Sequence, residues 1–185
     1  MSNELKMSRA PAFSLLEQLD MFVAPAPPVP AIDPSQSRSR HEPKGKVYDL
    51  DEYFRTINRV VFKNALTPSV LRWSRNRWRY TLGICDPKRQ VITLNTSLED
   101  ARVPDVVVAA IIHHEMLHLH FGISEGPDGR RRVHTPQFRA AEKLFPGFEE
   151  SEKWVNENWP LRGRPAKRPR PVEQTFLSYL TLMYP

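Results

Sequence analysis

The apolar residues of this chain concentrate between about Val47 and Trp159, and their spacing changes character along that span. Leu50, Tyr53, Phe54, Ile57, Val60 and Val61 recur three to four apart behind Asp49, which predicts an amphipathic helix with an aspartate cap. Three β-prone runs follow: VLRWS, RYTLGIC and QVITLN. The last two flank Asp86-Pro87-Lys88-Arg89 and predict a hairpin. Pro104 then opens DVVVAAIIHHEMLHLHF, which Gly122 ends; it is apolar on nearly all sides, as a buried helix is. A polar loop leads to His134. There Thr135 as cap and Pro136 in the first turn start a further helix, QFRAAEKLF, closed by Pro146-Gly147. Residues 149–159 add a short helix through Trp154. Helix, hairpin, helix, helix predicts an α+β domain, with a small antiparallel sheet and flanking helices around the buried one.

Outside this span the pattern dissolves. Residues 11–22 (PAFSLLEQLDMF) form a short apolar island, and residues 23–45 hold six prolines among Ser, Arg and Lys. Such a composition reads as an extended, disordered linker. Residues 160–171 (PLRGRPAKRPRP) cannot sustain a helix or a central strand. A last apolar patch runs from Phe176 to Tyr184. The expected organisation is a tail over 1–45, a folded domain over 46–159, and a basic Pro/Arg tail over 160–185 with an apolar end.

Charge and cysteine content narrow the chemistry. The net charge is +6, and five of those charges come from Arg162, Arg164, Lys167, Arg168 and Arg170, with no acid among them. The basic character therefore belongs to one tail and points to an anionic partner for it. Cys85 is the single cysteine. That excludes an internal disulfide and a four-cysteine zinc site, leaving His and carboxylates as metal ligands. No run of eighteen apolar residues appears, so no membrane partner is expected, and the N-terminus lacks a continuous apolar signal core. A cytoplasmic protein is expected, at the nucleoid if the tail engages DNA.

His114-Glu115-Met116-Leu117-His118 is HExxH on a helix. Four residues advance a helix by about 400°, leaving the two imidazoles about 40° apart on one face and one turn apart. Both can then reach a single zinc ion. Glu115 beside them can take a proton from water acidified by the metal and return it to a leaving amine. The pattern also arises by chance on ordinary helices. Here, however, a charged Glu and several His lie in one of the chain's most apolar helices, where unpaired polar groups cost several kcal/mol. His113 is turned about 100° from His114, and His120 about 200° from His118, so neither shares the ligand face and both are expected in supporting or surface contacts. The third ligand is left to His134 or His41. His41 lies in the linker, whereas His134 directly precedes a capped helix.

The first helix, Trp73, the hairpin ending in VITLN, HHEMLH and the downstream HTPQF together resemble the SprT-like metallopeptidases, a group that includes the animal protease Spartan. The likeness covers about residues 48–148. It implies a zincin-like fold, zinc held by His114, His118 and His134, Glu115 as the catalytic base, and protein substrates. Two features depart from the family pattern. Thr135-Pro136 stands where a glycine step usually follows the third His, which is nearer to the YgjP-like peptidases, and the C-terminal cysteine zinc ribbon of many members is missing.

Three further segments suggest partners. Arg162-Gly163-Arg164-Pro165 with Lys167, Arg168 and Arg170 resembles an AT-hook, whose Arg-Gly-Arg core enters a narrow minor groove; a generic basic linker is the plainer reading. Gln18-Leu19-Asp20-Met21-Phe22 is similar to the peptide by which bacterial repair and replication proteins dock on the sliding clamp. The alternative is one face of a helix packing on the domain. Arg72 to Tyr80 interleaves basic and aromatic residues, which suits either unpaired bases or a strand with one buried face. Three functions are compatible with these readings: a zinc endopeptidase acting on DNA-bound or crosslinked proteins in DNA repair, as the resemblance to Spartan implies, a general intracellular peptidase, or a DNA-binding adaptor with a structural zinc. An intact Glu115 speaks against the adaptor, because a structural site needs no base.

Overall fold

The computed structural model describes residues 43–67, 70–122, 124–125, 131–163 and 175–184. Helix α1 spans Leu50–Val60, and the Asp49 carboxylate accepts the Asp51 N–H at its start. Its apolar face, Leu50, Tyr53, Phe54, Ile57 and Val60, is buried, at roughly 1.5–3 kcal/mol for each large side chain removed from water. Buried Asn58 then clamps the next turn, its amide donating to the Leu66 carbonyl and accepting the Leu66 N–H.

Strands β1 (Val70–Trp73), β2 (Gly83–Asp86) and β3 (Val91–Leu94) form one sheet in the order β1-β3-β2. The expected hairpin is present: β2 pairs antiparallel with β3, from Gly83 opposite Leu94 to Asp86 opposite Val91. The expectation of a purely antiparallel sheet is corrected, because β1 runs parallel to β3, Val70 opposite Val91. Parallel neighbours need a long connection, and residues 74–90 supply it by carrying the whole β2 arm. The first half of RYTLGIC is not strand. Asn95, fully buried, takes its backbone instead, donating to the carbonyls of Trp78 and Thr81 at 2.8 Å each.

Helix α2 (Asp105–Phe121) is the centre of the domain, bounded by Pro104 and by Gly122 at φ 63°. Val107, Val108, Ala109, Ile112, Met116 and Leu117 have no exposed surface. It touches β2, β3, α1, and the helices α3 (Pro136–Lys143), α4 (Phe148–Asn158) and α5 (Phe176–Met183). Short strands β4 (Ser124–Glu125) and β5 (Arg131–Arg132) pair between α2 and α3. Gly147, at φ 79°, begins α4 against Val106, which a Cβ there would meet at 2.3 Å.

The apolar patch that closes the C-terminal tail is helix α5, and it belongs to the core. Phe176, Leu177 and Leu180 are buried against α1 and α2, and the Asp105 carboxylate accepts the Phe176 N–H. An eight-residue helix beyond a Pro/Arg segment carries too little periodicity to announce this packing. No helix among the described residues is long and apolar enough to cross a membrane.

Candidate metal centre

His114 and His118 project one turn apart from α2, and His134 stands just before the Thr135 cap of α3. The Thr135 hydroxyl accepts the Phe138 N–H at 3.2 Å, so Thr-Pro in place of a glycine step still fixes the backbone beside His134. The three Nε2 atoms form a triangle of 3.2, 3.3 and 3.3 Å. A tetrahedral zinc ion with Zn–N of about 2.0–2.1 Å sets its nitrogens about 3.3–3.4 Å apart, so the triangle fits such an ion. Three imidazole nitrogens cannot all donate to one another at this spacing, whereas all three lone pairs can serve one cation. This is the group of His, Cys, Asp and Glu that could hold a metal among the described residues.

The residues around the triangle fix its shape. Phe138 is fully buried and packs against the rings of His114, His118 and His134, with centroids 5.1, 4.7 and 4.8 Å away. One turn further along α3, Glu142 Oε1 lies 2.5 Å from His114 Nδ1. A carboxylate there keeps the proton on Nδ1, leaves Nε2 as a lone pair, and orients the ring. Burial opposes protonation of His114, but the Glu142 hydrogen bond and the charges of Glu115 and Glu142 raise its pKa. Burial also pushes Glu142 upward, and the His114 hydrogen bond outweighs it, holding the carboxyl below its ordinary value. Burial lowers His118 to about 4 and lowers His134 as well, so both are neutral and able to ligate near pH 7. Sequence reasoning missed Glu142. The available signal was its i+4 relation to Phe138, which puts both on one face of α3.

Glu115 is 4% exposed, and burial pushes its carboxyl up to about 7. Gly83, the first residue of β2, lies directly against it: a Cβ there would sit 2.5 Å from Glu115 Oε1. The glycine is required for space rather than for an unusual backbone angle. Glu115, His114 and Glu142 line a cavity of about 340 Å³ between α2, α4 and the Tyr80–Gly83 segment. The carboxylate that can accept a proton and one of the three histidines, His114, therefore line the same cavity.

The remaining candidates separate. His113 is buried and stacked on Phe145 at 4.3 Å, with Phe62 on another side. His120 lies between Phe62 and Phe121. Neither joins the triangle; His113 in particular is a core side chain rather than a surface one. Trp73 packs on the core and donates its indole N–H to the Pro43 carbonyl, while Tyr80 is 82% exposed beside Arg79. Arg162 is exposed, its carbonyl accepting from Arg102, and Gly163 has φ 83°. Arg164, Pro165, Lys167, Arg168 and Arg170 lie outside the described residues, as do His41 and the segment Gln18, Leu19, Asp20, Met21 and Phe22.

An α+β domain whose buried helix presents two histidines to a third, with a glutamate alongside, has the layout of a metal-dependent hydrolase. The family model of the SprT-like family matches residues 50–152, more than half of the chain, and the chain belongs to that family. Membership is consistent with a metallopeptidase-like domain. No curated protein and no solved structure matches the chain.

Proposed function

We propose that this chain is a zinc-dependent metalloendopeptidase. The observation that carries the reading is the 3.2–3.3 Å triangle of His114, His118 and His134 Nε2 atoms, with buried Glu115 next to His114 on the same helix and both lining one cavity. Three imidazole nitrogens suit zinc over calcium or magnesium, which prefer oxygen. When bound, zinc supplies Lewis acidity, polarising a carbonyl and lowering the pKa of water. Glu115 would accept a proton from water and deliver it to the leaving amine nitrogen, and the burial that pushes its carboxyl up to about 7 suits both directions. Glu142 holds the His114 ring in position. Strand β2 pairs only with β3 among the described residues, so its outer edge can add the backbone of an extended peptide, which favours an internal peptide bond as substrate.

Its substrates are proteins associated with DNA, crosslinked ones included, and its setting is DNA repair in the cytoplasm or at the nucleoid. The support is the charge of the 162–170 segment, with Arg162, Gly163, Arg164, Pro165, Lys167, Arg168 and Arg170 as the DNA-contacting set. Gln18, Leu19, Asp20, Met21 and Phe22 would dock the protein on a bacterial sliding clamp. The test compares wild type and Glu115→Gln, both at full zinc occupancy, on casein and on a DNA-crosslinked protein. Wild type is expected to cleave both, and Glu115→Gln neither. Undiminished cleavage by Glu115→Gln would remove Glu115 from the chemistry, and cleavage of casein alone would remove the DNA-associated substrate.

A further inference from the structure

We propose that the cavity beside Glu115 receives a lysine or arginine side chain adjacent to the scissile bond, and that Glu152 sets this preference. The proposal rests on the peptidase reading of the same site. The chain as a whole is basic, with 27 Lys and Arg against 21 Asp and Glu. The cavity inverts that balance: Glu115, Glu142 and Glu152 line it, and no lysine or arginine does. Low-dielectric walls focus the field of such groups and raise the local concentration of cations.

The three carboxylates have different duties. Glu142 is bound to His114, and Glu115 is the base of the proposed hydrolysis. Glu152, on the exposed side of α4, makes no ion pair among the described residues, and its charge is felt at His114. It is therefore the acid available to a substrate cation. Ile111, Phe145, Phe148 and Val155 give the same lining an apolar part. Long basic side chains lay their methylene stems on such surface while the charged head stays at a polar rim. At about 340 Å³ the cavity is at the small end for ligand pockets, which suits one long side chain. A second sign of an occupant is His113, 1% exposed on the cavity lining, whose Nε2 has no partner among the described residues.

The test uses the full-length, zinc-loaded protein and peptides identical except at the two positions flanking the cleaved bond. Those positions carry lysine, arginine, norleucine or glutamate in turn. At one of them, wild type is expected to show kcat/KM about fivefold to tenfold higher for lysine than for norleucine, the size of one partly screened charge pair. Glu152→Gln should bring the ratio to about one, and Glu152→Lys should make glutamate the preferred residue. Zinc content and melting curves of both variants establish that they fold. Anisotropy of labelled lysine and norleucine peptides on zinc-loaded Glu115→Gln gives the same comparison without turnover. A wild-type ratio of one or below, or a ratio untouched by Glu152→Lys, overturns the assignment while leaving the peptidase reading intact. If nothing is cleaved but the lysine peptide binds Glu115→Gln about fivefold tighter, and Glu152→Lys abolishes the difference, the cavity assignment stands and hydrolysis does not.

Discussion

Helix α2 carries His113, His114, His118 and His120, and its two sides treat them in opposite ways. On one side His114 and His118 meet His134, and the Glu142 carboxylate holds His114. On the other, His113 and His120 are enclosed by Phe62, Phe145 and Phe121, and His113 Nε2 and His120 Nδ1 are buried without partners among the described residues. Burial lowers the pKa on the aromatic side to about 3 for His113, so those rings are neutral packing units. Helical spacing turns the two pairs to different sides, and the chain around α3 decides which side can hold a metal, because it brings Phe138, Glu142 and His134 to one side only.

The sharpest contrast is to remove one histidine from each side. His118→Ala is expected to lose zinc, all measurable hydrolysis and part of the folding stability, since metal binding is linked to folding. His120→Ala should keep full zinc content and cost only about 1 kcal/mol in a denaturation curve. Equal zinc loss in both would erase the distinction between the two sides.

Gly83→Ala isolates the glutamate from the ligands. The new Cβ must displace the flexible end of Glu115 rather than the backbone. Hydrolysis should fall by roughly 100-fold, the order expected for a misplacement of about 1 Å, while zinc content and melting temperature change little. A variant with normal turnover would show that the position of Glu115 is not critical.

Glu142→Ala tests what orients His114. Zinc affinity, measured by competition with a chelator, should weaken about 10–100-fold, with partial recovery in Glu142→Gln, which keeps a hydrogen-bonding oxygen. Unchanged affinity would make the 2.5 Å contact incidental.

A pH-dependent effect, confined to stability, concerns the burial of Glu115 in metal-free protein. Its carboxyl is raised from 4.5 to about 7. Below pH about 4.5 both folded and unfolded chains hold the proton, and no penalty arises. As pH climbs towards 7 the unfolded chain ionises first, and stability falls; above 7 the loss is complete. Glu115→Gln should therefore stabilise metal-free protein by up to about 3 kcal/mol at pH 8, and contribute nothing from this source at pH 4. A pH-independent difference would mean that Glu115 is not desolvated.

Features written locally were legible in the sequence. Asp49 as a cap and the bounds of α2 at Pro104 and Gly122 each depend on one turn of chain, and the structure has them in place. The i, i+4 pair within HExxH was legible for the same reason, and the match of residues 50–152 to the SprT-like family agrees with the resemblance carried by those motifs. What escaped depends on distant partners. The parallel β1–β3 pairing is decided by the path of residues 74–90, where Asn95 diverts backbone from strand to loop. Helix α5 joins the core through Phe176, Leu177 and Leu180, far along the chain from α1. Glu142 and Gly83 acquire meaning only when α3 and β2 close on the histidine helix.

X-ray absorption at the zinc edge of the reconstituted full-length protein tests the three-histidine site most directly. Three imidazole nitrogens and one further light atom at about 2.0–2.1 Å are expected, the spectrum of a three-ligand site with an open position. A shell with two or fewer imidazoles, or a sulfur scatterer at about 2.3 Å from Cys85, would contradict the assignment of His114, His118 and His134.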